Sequence, residues 1–365
     1  MASASWTELA AKHYYQDKGG DAPSFVVARD MAPSDLRAFL SYVASLSDSY
    51  VPVSENAALT TWPAYAVKRR RPTGGENAPG FRFSYLCAPG DEVRVGRLAA
   101  EVLAPCAERT AALLREATGR PNEPLDVVFV AGRSTRQLPS RPGGPIAPEH
   151  INGGVTFFAY SPLRVLVWRE EDAEKVLVHE LVHRFGLDHA LSGERAEQAS
   201  RALATRHGVT ASGPRRDLSE AYTEAMACML HAHLFAARQG PRPKPAEALS
   251  IASAHFITVA ARLALHFGLP PERPFAYKES THAFAYVACR AALFQPRHLE
   301  RLLLDHPPGS PPADADAFAR RLDAALADLR RELSNPTTGR RNTASRSLAA
   351  VALLSPNAAP RRSKS

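Results

Sequence analysis

Cysteine is scarce in this chain: four in 365 residues, at Cys87, Cys106, Cys228 and Cys289, with no Cys-x-x-Cys pair. That spacing excludes a disulfide framework and a thiolate zinc site, and it points to buried free thiols in a reducing compartment. No run approaches the roughly 20 consecutive apolar residues expected of a membrane span. The N-terminus, Met-Ala-Ser-Ala-Ser-Trp-Thr-Glu, lacks the basic and apolar regions of a secretory signal. No internal repeat is present, which excludes a solenoid. These absences lead to the expectation of a cytoplasmic protein without a membrane partner.

Acidic residues are outnumbered, 37 against 45 Lys and Arg, for a formal charge of +8. Most of that excess lies beyond Pro336, in Arg340, Arg341, Arg346, Arg361, Arg362 and Lys364, with no acid among them. Residues 337–365 are therefore expected to form a disordered basic tail, able at most to attract an anionic partner weakly. The remainder shows no interleaving of basic and aromatic residues, so a nucleic-acid-binding reading rests on the tail alone.

Apolar residues make up 45 % of the chain, enough for a full core. The first 120 residues read as a mostly helical region of their own. Leu36, Phe39, Leu40, Val43 and Leu46 follow Pro33-Ser34-Asp35 at helical spacing, and residues 92–117 repeat that period up to a stop at Gly119 and Pro121. Residues 121–336 read as a second domain. It opens with strands expected at 125–131, 154–159 and 163–168, the last two parted by a turn at 160–162. Helical patterns at about 193–207, 217–238, 244–267, 277–294 and 313–333 follow. Strands first and helices afterwards imply an α+β fold.

Between these two series stands Val176-Leu-Val-His-Glu-Leu-Val-His-Arg-Phe-Gly186. Glu170, Glu171 and Asp172 precede it, placing negative charge where a helix start favours it, and Gly186 suits its end. On a helix His179 and His183 lie one turn apart on one face and can reach the same metal ion. Glu180 is then placed to act on a water at that metal, as general base. The bland alternative is a core helix with two histidines satisfied by local hydrogen bonds. The apolar residues flanking the motif, the strands before it and the acids after it favour the metal site.

With this motif, residues 125–295 resemble the zincin metallopeptidases. Arg184 departs from the pattern, which prefers an uncharged residue there. The resemblance implies a small twisted sheet, an active-site helix, bound Zn2+ and hydrolysis of peptide bonds in a peptide or protein substrate. Two continuations compete for the third ligand. His179 to His189 fits the metzincin string His-Glu-x-x-His-x-x-Gly-x-x-His, which makes His189 the ligand. That family also needs a methionine in a turn, whereas Met226 and Met229 fall in a helical pattern. Glu220-Ala-Tyr-Thr-Glu224 is similar to the second-helix signature of the gluzincins. By that match Glu220 binds zinc and Glu224 accepts the outward N–H of a liganding histidine. Glu224 as ligand is the third option.

Lys278 to Tyr286, together with the Glu220–Glu224 helix, also resembles uncharacterised zincin-like proteins of large DNA viruses. In that segment Tyr286 and His282 are candidates for oxyanion stabilisation, or a core aromatic and an incidental polar residue. The zincin resemblance further implies a substrate extended along an edge strand, for which residues 153–157 are the candidate. A zincin fold that has kept its metal and lost its chemistry, serving a structural or regulatory role, is the alternative. The intact Glu180 argues against it.

Overall fold

The computed structural model describes residues 5–15, 25–31, 34–46, 53–69, 80–120, 124–141, 143–158, 164–239 and 244–334. The basic tail and the turn expected at 160–162 lie outside the described residues. In chain order the main strands are β1 (Phe25–Met31), β2 (Ala64–Arg69), β3 (Phe81–Leu86), β4 (Leu125–Gly132), β5 (Gly154–Phe157) and β6 (Arg164–Arg169). They form one mixed sheet in the order β1-β2-β3-β4-β6-β5. Strands β3, β4 and β6 run parallel, while β1, β2 and the edge strand β5 pair antiparallel to their neighbours.

Burial on both faces explains why β4 and β6 read as unbroken apolar runs. Val127, Phe129 and Ala131 of β4 enter one core, and Val128 and Val130 enter the other, as a period of two requires. One face is covered by α2 (Ser34–Ser45) and α3 (Val53–Thr61), whose Phe39, Leu40 and Leu59 meet Val128, Leu166 and Trp168. The other face receives the remaining helices. Among them a long helix runs through α4 (Glu92–Leu98), a π turn (Ala99–Leu103) and α5 (Ala104–Thr118). Pro105 has no N–H to donate within the ladder, which accounts for the widened turn just before it. α1 (Trp6–Tyr14) packs on α5.

The chain adopts the α+β class expected of it, with three departures. The region before residue 120 supplies half of the sheet, and β3 pairs with β4 at six positions across the boundary expected there. The sheet is therefore continuous from the N-terminal residues into the motif-bearing region. The segment expected as one helix over 277–294 begins instead with a short strand, Lys278–Glu279, paired with Thr210–Ala211. Helical structure starts later, as a π segment (Phe284–Cys289) followed by Arg290–Leu293, because the Glu279 carboxylate accepts the Phe284 N–H at 2.8 Å. Thirdly, the helix Pro245–His266 reaches a mean hydropathy of 1.6 over 18 residues, long and apolar enough by composition to cross a bilayer. This corrects the expectation that no such stretch exists. In the fold it packs on the helix Asp217–Gln239 and sends Ala252, Phe256, Ala260 and Leu263 into the core.

The helices that build the site are α6 (Pro148–Ile151), α7 (Ala173–Arg184), α8 (Glu194–Arg206), α9 (Asp217–Gln239), α10 (Pro245–His266) and α11 (Arg290–Leu293); α12 (Pro296–Asp305) and α13 (Ala315–Ser334) close the helical side. α9 is the axis of this half. Nearly all its residues from Asp217 to Ala236 are buried, so it is apolar on all sides apart from a few acids that are satisfied internally. Its first turn is tied down by buried Arg215, which donates to Asp217 at 2.5 Å and to Glu279 at 2.7 Å. All four cysteines are buried free thiols.

Glu279 shares Arg215 with Asp217, and its carboxyl is pushed up to about 7, by burial first and by Asp217 further, against the pull of Arg215. A raised acid pKa stabilises the fold most below the ordinary value of 4.5 and loses that contribution as pH rises through 7. Urea unfolding of the wild-type protein and of Glu279→Gln should therefore diverge between these limits. The wild type is expected to lose about 3 kcal/mol relative to the variant on going from pH 4.5 to pH 7. A pH-independent difference would refute this assignment.

Candidate metal centre

α7 follows β6 directly and packs on β6 and the edge strand β5. His179 and His183 project from it toward α9, where Glu220 meets them. His179 Nε2 and His183 Nε2 stand 3.1 Å apart, and each lies 3.3 Å from Glu220 Oε2. Among the described residues these three form the one group of histidine, cysteine and acidic side chains able to converge on a metal. Donors placed 2.0–2.1 Å from a tetrahedral zinc stand about 3.3 Å apart, and two imidazoles with one carboxylate are a donor set zinc accepts. The residues present fit the ion.

Both ring tautomers are set from behind. His179 Nδ1 lies 2.9 Å from Glu224 Oε2, and His183 Nδ1 lies 2.8 Å from Asp188 Oδ2. A carboxylate at Nδ1 takes that N–H, leaving the lone pair on Nε2 pointed at the partner ring. Three acceptors thus face one another in a buried space, an arrangement that repels unless a cation or protons lie between them. Burial works against the charge of Glu220, but His183 and His179 outweigh it and hold its carboxyl well below the usual range. Burial likewise opposes the charges of His179 and His183, yet the surrounding carboxylates raise both.

Each orienting carboxylate is itself anchored. Glu224 accepts from Lys175 Nζ at 2.7 and 2.9 Å and from Arg290 Nη1 at 2.6 Å, and these cations overcome its burial to keep it ionised. Asp188 accepts from Ser219 Oγ at 2.5 Å. Tyr286 donates its hydroxyl to Glu220 Oε2 at 2.7 Å, and burial followed by that carboxylate keeps the phenol protonated.

Glu180 stands apart from the triangle and faces the cavity. Thr156 of β5 donates to its Oε2 and to its backbone oxygen, both at 2.9 Å. Burial raises its pKa, against the nearby histidines, so it is a stronger base than an exposed glutamate. The cavity has a volume of about 460 Å³ and is bordered by Gly153, Gly154, His179, Glu180 and Tyr286, among others.

The other sequence-level candidates fall elsewhere. His189 is exposed on a short 3-10 turn and takes no part in the cluster, because Gly186, at φ +69°, turns the chain so that Asp188 instead meets His183. Glu224 lies behind His179 and outside the triangle. Met226 and Met229 are buried within α9 and form no turn. His282 sits 4.0 Å from Asp217 and does not border the cavity, whereas Tyr286 does. Arg184, the departure from the zincin pattern, is buried and donates to the Pro124 carbonyl at 3.2 Å.

Sequence reasoning missed Asp188, Thr156, Lys175 and Arg290. Of these only Asp188 left a local signal, lying two residues past the glycine that ends the motif helix. No protein-family model, curated protein or solved structure matches the chain.

The approach of β5 to α7 depends on a missing side chain. A Cβ at Gly154 would lie 2.7 Å from Val176 Cγ1, 2.8 Å from Glu180 Cγ and 2.9 Å from Glu180 Oε1. Gly154→Ala should therefore cost about 1–3 kcal/mol in urea unfolding, as overpacking does. An unchanged midpoint would mean that β5 is free to retreat.

Proposed function

We propose that this protein is a zinc-dependent metallopeptidase of zincin type in the gluzincin arrangement, with His179, His183 and Glu220 as ligands and Glu180 as general base. The observation that carries the reading is the triangle of inward-facing acceptors, 3.1–3.3 Å on a side, with a basic carboxylate beside it on a cavity wall. A site serving only structure has no use for Glu180 in that place. Zinc held there supplies Lewis acidity and lowers the pKa of water at its open position to about 7.

The chain's own groups supply the rest. Glu180 takes the proton of the attacking water and delivers it to the leaving amine; Thr156 keeps Oε2 in position. Tyr286 donates its one hydroxyl proton to Glu220 and holds that carboxylate in place. Glu224 and Asp188 fix the two imidazole rings. An extended peptide pairs with the open edge of β5, where Gly153 and Gly154 bring backbone to the cavity without side chains.

Two measurements test this. Zinc content after dialysis should be near one per chain in the wild type and in His189→Ala, and should collapse in Glu220→Ala. Asp188→Asn should retain the ion with affinity lowered about 10–100-fold. Equal loss in His189→Ala and Glu220→Ala would overturn the ligand set. In the second, Glu180→Gln should keep zinc and fold while its peptide hydrolysis falls by at least about 100-fold. Undiminished turnover would remove Glu180 from the mechanism.

A further inference from the structure

Opposite β5, the cavity is walled by α10 and by the segment running from Phe284 into α11. His255, Val259, Arg262 and Leu263 come from α10, and Tyr286, Val287 and Arg290 from the facing helix. Residues 255, 259, 262 and 263 share one face of α10 at helical spacing, so this wall is a single surface. It contains two guanidinium groups and no carboxylate.

The acids elsewhere around the cavity are already engaged. Asp172 pairs with Arg136 at 2.6 Å, and Glu171, at the exposed rim, accepts the Arg136 backbone N–H at 2.8 Å. Glu180 is held by Thr156. The single charge of Glu224 is divided between Lys175 and Arg290 while it also holds His179. The lining as a whole carries four cations, Arg136, Lys175, Arg262 and Arg290, and four carboxylates, Glu171, Asp172, Glu180 and Glu224, but the wall formed by α10 and the facing helix carries the guanidinium groups of Arg262 and Arg290 alone.

Among the described residues Arg262 has no hydrogen-bond or ion-pair partner. Arg290 uses Nη1 on Glu224 and lies over the Phe256 ring at 4.1 Å, yet its buried Nε has no partner. His255, between them, is lowered by burial and then by these same two arginines, which reports the positive field of the wall. Arg262 lines the cavity and is open to solvent, whereas its neighbours Leu263 and Val287 are buried.

We propose that this wall recognises a substrate carboxylate, with Arg262 as its principal partner and Arg290 behind it. The inference rests on the peptidase reading, and it names the substrate class: peptides bearing a carboxylate close to the scissile bond. An acidic side chain and a free C-terminus present the same group. A planar guanidinium binds either one bidentately.

The test uses zinc-loaded Glu180→Gln protein, which binds without turnover, and calorimetric affinities for short probe peptides. The probes are Ala-Phe-Leu-Ala as free acid, the same peptide amidated, and amidated peptides with Glu or Gln scanned through each position. A carboxylate-bearing peptide should bind about tenfold more tightly than its neutral counterpart, the effect of one charge-assisted pair. Preference for the free acid would identify a C-terminus as the source, and preference for one Glu position would identify a side chain.

Adding Arg262→Gln should bring the acidic-to-neutral ratio close to one, and Arg262→Glu should invert it toward Lys-containing peptides. Equal affinities in the Arg262 protein, a preference that survives Arg262→Gln, or no binding by any probe would each overturn the inference. Zinc content and hydrolysis by the wild-type protein report separately on the proposed function. A wild-type protein that holds zinc and cleaves acidic and neutral peptides alike removes only the carboxylate preference. One that holds no zinc but binds acidic peptides through Arg262 removes only the peptidase.

Discussion

Two imidazole nitrogens and a carboxylate oxygen held 3.1–3.3 Å apart inside a protein require a cation or protons between them, and α7 and α9 hold them in that place. His179 and His183 turn their Nε2 atoms toward Glu220 because carboxylates hold the opposite ring nitrogens. Remove Glu224 or Asp188 and the rings are free to turn or to change tautomer, ending the convergence. The layers of support extend outward: Lys175 and Arg290 secure Glu224, Ser219 secures Asp188, and Tyr286 secures Glu220. Protons or a metal ion between these atoms relieve the repulsion, and the proposed zinc is one such species.

Two helices carry nearly all of this. α7 contributes both rings, Glu180 and Lys175, and α9 contributes Ser219, Glu220 and Glu224. Their packing is fixed by apolar side chains on all other sides, so the polar residues have few alternative positions. The sheet adds the third boundary. β5 sits at its edge with Gly154 pressed to Val176 and Glu180, and Thr156, two residues on, reaches the Glu180 carboxylate. Glu180, the His179–His183–Glu220 cluster and the edge strand are therefore positioned by packed helices and sheet, not by a loop.

Charge is distributed unevenly around the cavity. Next to His179 and His183 the carboxylates dominate; on the wall formed by α10 and Tyr286–Arg290 the cations do. That separation follows from which helices form each wall. α9 brings acids in its first two turns, where the positive end of a helix favours them, while α10 brings an apolar face broken only by His255 and Arg262. The same apolar face makes α10 resemble a membrane span by composition, although in the fold it serves as the wall of the cavity and a flank of the core.

Local chemistry was legible in the chain wherever it depended on helical spacing. The i, i+4 pairs His179/His183 and Glu220/Glu224 follow from 3.6 residues per turn, and so did the placing of Glu180 beside the first histidine. The α+β class followed from the apolar runs of β4 and β6 and the amphipathic periods after them. The strands before residue 120 escaped notice because their partners are distant in sequence: β3 is recognisable as a strand of this sheet only once β4 lies beside it. Choosing Glu220 over His189 was equally beyond the sequence, since both satisfy a string of letters. The folded chain separates them by turning at Gly186, so that Asp188 meets His183 and its neighbour is left at the surface. Spacing along one helix is a local property that covalent geometry enforces. Which side chains from α9, α10, β5 and the Phe284–Leu293 segment meet around that helix depends on long-range packing, and only the tertiary structure decides it.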